Sequence, residues 1–269
     1  MPTHDQKIGI AVDDGHIAGT IVTPAVLVPG VLFVHGWGGS QEQYLARARE
    51  IAALGCVCLT FDLRGHAGTR PQQETVSREN NLRDVLAAYD VLAGHRNVDP
   101  SAIAVVGSSY GGYLAAILTA MRPIKWLALR VPALYMDSDW ETPKRQLHRD
   151  QDLSAYRQRL VPAAENRALR GCAAFHGDVL VIESERDHVI PHAAIASYLE
   201  ACTHAHSLTY RVIEGADHGL SEESSQRAYT SLLVNWLTEM IFGARMGAAP
   251  VQTASGYGFS MPQGPARAG

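Results

Sequence analysis

Val105-Val106-Gly107-Ser108-Ser109-Tyr110-Gly111-Gly112 closes an apolar run with Gly-x-Ser-x-Gly, and Leu114, Ala115, Ile117 and Leu118 follow at helical spacing. The stretch reads as a nucleophile elbow, a strand turning sharply into a helix with a serine at the apex. Such a turn forces the serine into strained backbone angles and closes only if flanking residues lack side chains. Gly107 and Gly111 supply that clearance, so Ser109 rather than Ser108 is the candidate nucleophile. With Gly and Ser each near ~7% of an average sequence, the bare pattern arises by chance in roughly one chain in ten of this length. Its surroundings therefore decide the reading.

Outward from the elbow, strands and helices alternate. Apolar runs at 31–34, 57–61, 103–106, 126–129, 179–182 and 208–212 predict strands, the strongest nearly continuous, as expected when both faces of a parallel sheet are buried. Helical patterns fall between or after them at 41–54, 78–94, 110–121, 191–203 and 223–241. Residues 8–12 and 17–22 bracket Asp13-Asp14-Gly15 and predict an opening hairpin. The expected architecture is an α/β fold with a mostly parallel, doubly wound sheet over residues 1–242. The interval 131–177 is too long for one crossover helix and carries Tyr135, Trp140, Tyr156, Pro143 and Pro162; a small cap is expected over about 132–176. The stretch 243–269, rich in Gly, Ala and Pro, is expected to be disordered.

Composition narrows the class. The chain has 269 residues, 46% hydrophobic and 19% charged, with a formal net charge of -4. That balance suits a water-soluble protein and argues against nucleic-acid and membrane partners. No signal-peptide core opens the sequence and no run of 18 apolar residues follows, so a cytoplasmic location is expected. Four cysteines fit buried free thiols, and His204-x-His206 lacks the further ligands that a metal site needs. A homodimer and a monomer both remain open.

A serine hydroxyl needs a base to take its proton and an acid to hold that base in the right tautomer. Both partners should lie after later strands, acid first. The run Val179 to Ile182 leads into Glu183-Ser184-Glu185-Arg186-Asp187, and Asp187 is the favoured acid over Glu183 and Glu185. After 208–212 comes Ile213-Glu214-Gly215-Ala216-Asp217-His218, which makes His218 the candidate base. The glycine-rich turn His35-Gly36-Trp37-Gly38-Gly39 is suited to an oxyanion hole, with backbone N–H donors expected at Trp37 and Tyr110. Phosphate binding by this turn is disfavoured, since no P-loop lysine follows and the G-x-G-x-x-G spacing is absent.

Taken together, His35 to Gly39, Asp62-Leu63-Arg64-Gly65-His66-Ala67-Gly68, Gly107 to Gly112, Asp187 to Pro191 and Gly215 to His218 resemble the α/β-hydrolase superfamily over about residues 8–240. The layout is similar to small serine esterases and to the serine-aminopeptidase-like branch that includes monoacylglycerol lipases and bacterial cinnamoyl and feruloyl esterases. The resemblance implies a structural role for Asp62, Arg64 and His66 in a loop bracing the site, with Thr69 standing where relatives often have serine. Dehalogenase relatives would need aspartate, and dienelactone hydrolases cysteine, in place of Ser109. The expected activity is therefore cleavage of small acyl or aryl esters through an acyl-enzyme, with no cofactor. An amidase, aminopeptidase, thioesterase or acyltransferase on the same triad is the alternative, and a non-catalytic receptor the third reading. Tyr135, Trp140 and Tyr156 are the candidate substrate contacts from the cap, although rings in a short insertion also serve as anchors.

Overall fold

The computed structural model describes residues 4–23 and 28–247. A hairpin of β1 (His4–Val12) and β2 (Gly15–Thr23) turns at Asp13 and Asp14. Then follow β3 (Val28–Val34), α1 (Glu42–Ala53), β4 (Val57–Phe61), α2 (Arg78–Ala93), β5 (Val98–Ser108), α3 (Tyr110–Leu118) and β6 (Trp126–Arg130). Three short helices come next, α4 (Lys144–Asp150), α5 (Leu153–Arg157) and α6 (Arg167–Ala173). The chain closes with β7 (Asp178–Ser184), α7 (His192–Ala201), β8 (Ser207–Ile213) and α8 (Glu223–Gly247). The strands form one sheet in the order β1-β2-β4-β3-β5-β6-β7-β8, antiparallel through β2 and β4 and parallel from there onward. The doubly wound expectation holds.

Alternation along the central strands feeds two apolar layers. Leu32, Val34 and Val105 pack with α2, α3 and α7 on one face; Val31, Phe33, Ala104 and Val106 pack with α1 and α8 on the other. Tyr229, Leu233, Trp236, Leu237 and Ile241 form the buried stripe of α8, and full burial of a leucine such as Leu233 contributes about 2 kcal/mol. Helix α2 starts with a capping box in which Ser77 and Asn80 satisfy each other's backbone N–H. The chain winds from β3 outward to β4 and then crosses over to β5, so a crevice opens at the carboxyl ends of β3 and β5, where such sheets bind ligands.

Several boundaries differ from the sequence expectation. Helix α3 ends at Leu118 rather than 121, because Thr119 turns its hydroxyl back to the Ala116 carbonyl and Pro123 lies ahead. Helix α6 packs against α3 so closely that a Cβ on Gly171 would lie 2.3 Å from the Ala116 carbonyl oxygen. It occupies the place of an ordinary crossover helix, leaving residues 131–166 as the material beyond a plain strand-helix-strand unit. Helix α8 runs to Gly247, five residues into the stretch expected to be disordered; residues 248–269 lie outside the described residues. All four cysteines are buried thiols, with Cys172 of α6 hydrogen-bonded to Cys202 just past α7.

Candidate active site

Strand β5 delivers Ser109 to the crevice in a conformation few residues adopt, φ 53° and ψ −116°. A non-glycine residue held there costs on the order of 1–3 kcal/mol, which surrounding contacts must offset. They do so by close packing. A Cβ at Gly107 would lie 2.5 Å from the Gly111 carbonyl oxygen, and one at Gly111 would lie 2.2 Å from that of Val34. The Ser109 N–H donates to the Arg130 carbonyl at 2.9 Å, and its own carbonyl accepts from Tyr113 and Ala133 at 3.1 and 3.0 Å. Ser108 is buried, whereas Ser109 keeps partial exposure.

The loops after β7 and β8 meet this serine. His218 Nε2 lies 3.1 Å from Ser109 Oγ, and His218 Nδ1 lies 2.7 Å from Asp187 Oδ2. Because the carboxylate only accepts, Nδ1 carries the proton and Nε2 is left to accept from the serine hydroxyl. The other oxygen of Asp187 accepts the N–H groups of Val189 and Ile190, both at 2.8 Å. Burial pushes the Asp187 carboxyl up, but the His218 hydrogen bond and the two N–H donors outweigh it and hold it below the ordinary carboxylate range. The competing acids are engaged elsewhere: Glu183 with His192 and Tyr210, and Glu185 with the Gly215 N–H.

The glycine-rich turn after β3 closes over the same point, since a Cβ on Gly36 would come within 4.0 Å of Ser109 Oγ. His35 fixes the turn's shape. Its Nε2 accepts the Leu63 N–H at 3.0 Å, so Nδ1 holds the proton and donates to the Gly36 carbonyl at 2.7 Å. Burial pulls the His35 imidazole down to about 4, keeping it neutral. Tyr110 begins α3, and the first N–H groups of a helix have no partner within it. The loop after β4 braces this arrangement. Asp62 accepts both the backbone and side-chain N–H of Gln41 at 2.8 and 2.9 Å. Arg64 pairs with buried Asp84 and with Asp13, His66 packs edge-on against the Trp37 ring at 4.7 Å, and Thr69 accepts the Gly65 N–H at 3.1 Å.

Arg130, which the sequence reading missed by ending the strand at residue 129, spans the whole constellation. Its Nε donates to Ser108 Oγ at 3.4 Å, Nη1 to Ser184 Oγ at 3.3 Å and Nη2 to the His218 carbonyl at 2.9 Å. One guanidinium thus ties the elbow to the end of β7 and to the loop bearing His218. The three aromatic side chains expected from the cap divide differently. Tyr135 is buried against Tyr110 and Tyr113 with ring centroids at 5.7 and 5.0 Å, and half-buried Trp140 stacks on Tyr113 at 6.2 Å. Tyr156 is buried as an anchor, its hydroxyl accepting from Asn166 Nδ2 at 3.1 Å. Among the described residues no cluster of His, Cys, Asp and Glu could hold a metal, and no helix is long and apolar enough to cross a membrane.

Known proteins resemble this chain in fold and in sequence. It superposes with a TM-score of 0.68 on Est1E from Butyrivibrio proteoclasticus, solved with ferulic acid bound, at 17% identity over 87% of this chain and 99% of that one. A bacterial heroin esterase gives a TM-score of 0.64 at 20% identity, covering 89% and 84% of the two chains. In sequence it is 30% identical over 219 residues to the uncharacterized protein Rv2307c of Mycobacterium tuberculosis, covering 78% of this chain and 70% of that one. Esterase LipC of the same organism is also 30% identical over 219 residues, covering 72% of this chain and 52% of LipC. The profile of the prolyl oligopeptidase family matches residues 42–243, and with the fold and the elbow described above the chain belongs to that family, within the α/β-hydrolase superfamily.

Proposed function

We propose that the protein is a serine hydrolase that cleaves small carboxylic esters through an acyl-enzyme, with Ser109 as nucleophile, His218 as general base and acid, and Asp187 as the group that orients His218. The observation carrying this reading is the unbroken relay from Asp187 to His218 at 2.7 Å and on to Ser109 at 3.1 Å, with the serine on a strained elbow. His218 Nε2 takes the hydroxyl proton as Ser109 Oγ attacks the ester carbonyl. The oxyanion so formed is held by the N–H groups of Trp37 and Tyr110, each worth about 3 kcal/mol of barrier. His218 returns the proton to the leaving alcohol, water then attacks the acyl-enzyme with His218 again as base, and the carboxylic acid departs. Residues 131–166 act as the cap that selects the acyl group.

Hydrolysis of p-nitrophenyl esters from acetate to laurate, with methyl ferulate, by wild type and Ser109→Ala tests the assignment. Loss of about 10⁶ in kcat in the variant, with its fold intact and its labelling by a fluorophosphonate abolished, is the expected result. Turnover retained in Ser109→Ala overturns it. The family match favours one second reading, a peptidase on the same triad. Aminoacyl anilides assayed beside the aryl esters separate the two.

A further inference from the structure

Three cationic side chains from three helices are buried together between the 131–166 segment and the elbow. Arg78 of α2 is 0% exposed, Lys144 of α4 is 1% and Arg157 of α5 is 7%. All three surround the Tyr135 ring, their charged ends 5.8, 5.1 and 4.9 Å from its centroid. Lys144 also lies 4.0 Å from the centroid of Trp37 and 4.7 Å from that of Tyr110, the two residues whose N–H groups are assigned to the oxyanion. The cluster therefore packs against the side chains of both of these residues.

Burying a cation costs several kcal/mol unless an anion and a full set of acceptors accompany it. Here the compensation is incomplete. Among the described residues neither Arg78 nor Arg157 forms an ion pair. Arg78 donates to the carbonyls of Met136 and Ser138, and Arg157 to that of Leu134. Arg78 Nε and Arg157 Nη2 are buried without a hydrogen-bond partner. Lys144 and Arg157 both hydrogen-bond Tyr135, a single phenol shared by two cations. Asp137 of this segment is taken by Arg170 and by the Arg167 N–H. Aromatic faces soften the charge of a cation but supply no acceptor for an orphaned N–H.

We infer that Arg78, Lys144 and Arg157 form a subsite for a carboxylate carried by the substrate, so that the protein prefers esters of dicarboxylic acids over neutral esters of equal length. The inference rests on the ester-cleaving reading for its turnover but not for its binding. A planar carboxylate can accept from both orphaned guanidinium groups. Neutral acyl chains would leave the orphaned nitrogens of Arg78 and Arg157 without an acceptor.

The test pairs monoethyl glutarate with ethyl valerate, and monoethyl adipate with ethyl hexanoate, followed by pH-stat in wild type, Lys144→Met, Lys144→Arg and Arg157→Gln. Wild type is expected to favour the anionic ester of each pair by at least about tenfold in kcat/KM, mostly through KM. Lys144→Met and Arg157→Gln should bring that ratio close to one, and Lys144→Arg should retain it. Calorimetry with free glutarate reads the subsite without turnover, against valeramide as the neutral control. Glutarate binding that is lost in Lys144→Met supports the subsite even if no ester is cleaved, in which case the ester reading alone fails. Equal or better turnover of the neutral esters by wild type, or no glutarate binding by wild type at 10-fold above its KM for the anionic ester or, lacking turnover, up to millimolar concentrations, overturns the subsite and leaves the ester reading standing or falling on Ser109.

Discussion

Buried arginines lie on two sides of the elbow, Arg130 on one and Arg78 with Arg157 on the other, and they are finished to different degrees. On the sheet side, every nitrogen of Arg130 finds an oxygen, and those oxygens belong to the elbow, to the end of β7 and to His218. His35 on the same side is equally complete, one ring nitrogen donating and the other accepting. On the insert side, Arg78 and Arg157 each keep a buried nitrogen with no acceptor. A closed hydrogen-bond frame holds its geometry by itself, which is what a proton relay requires. An open one has donors to spare for a guest, which is what recognition requires. On the function and subsite proposed above, chemistry belongs to the sheet edge and selectivity to the 131–166 segment.

The severest test of the sheet side is Asp187→Asn. The amide keeps the shape but offers an N–H where His218 needs an acceptor, so the imidazole turns to the tautomer that cannot take the serine proton. A fall of about 10⁴ in kcat with little change in KM is expected from steady-state kinetics on an aryl ester. A fall of less than about tenfold would mean that the relay does not run through Asp187.

His35 tests the same frame through stability. Its folded imidazole titrates at about 4 against an ordinary 6.5, so between those values the unfolded chain binds a proton that the folded chain refuses. Stability is therefore fully present above about pH 6.5 and declines as the pH falls toward 4, by about 3 kcal/mol in all. Urea unfolding at pH 7 and pH 4.5 should show the loss, and His35→Gln, which can still donate and accept, should flatten that part of the profile. Asp187 works in the same direction at lower pH. Its depressed carboxyl contributes stability that is lost as the pH falls below the ordinary carboxylate value.

Arg130 offers a smaller and more specific effect. Arg130→Met leaves β6 in place but frees the His218 loop from the elbow, and misplacement of a base by an ångström lowers rates by up to about 10²-fold. A kcat reduced by about 10 to 100-fold with KM nearly unchanged is expected. Arg130 lines a cavity of about 180 Å³ with Arg47, Tyr229 and Gln226, so added guanidinium can reach the vacated position and should restore part of the rate. A merely structural arginine would give lost stability without rescue.

The same division explains what could be read from the sequence. Ser109, Asp187 and His218 sit at the ends of apolar runs, and local pattern plus chain order suffice to single them out. The central strands are legible because burial on both faces writes itself as continuous apolar sequence, and the opening hairpin because Asp13-Asp14-Gly15 punctuates two strand-like runs. Arg130 escaped because a charge closing an apolar run looks like the first solvated residue after a strand. Arg78, Lys144 and Arg157 carry no local signal at all: each lies in a polar helix whose charges would ordinarily face water, and only tertiary packing brings them to Tyr135. Of the three rings expected to meet substrate, Tyr135 and Trp140 join the aromatic cluster beside the elbow while Tyr156 anchors the segment, a distinction set by Asn166 and invisible in composition.

Tyr135 supplies the finest test of the open side. Burial pushes its phenol up, but Lys144 and Arg157 together outweigh burial and bring it below the ordinary tyrosine value. Ultraviolet difference titration should therefore show one phenol ionising ahead of the others, a step absent in Tyr135→Phe. Removing a cation removes its cause, so Lys144→Met should move that step to higher pH. A bound dicarboxylate should move it the same way in wild type, because a carboxylate among the cations competes with the phenolate for the same positive charge. A step that ignores glutarate while responding to Lys144→Met would place the anion elsewhere, and Tyr135 alone would then be the counterion that the cluster holds.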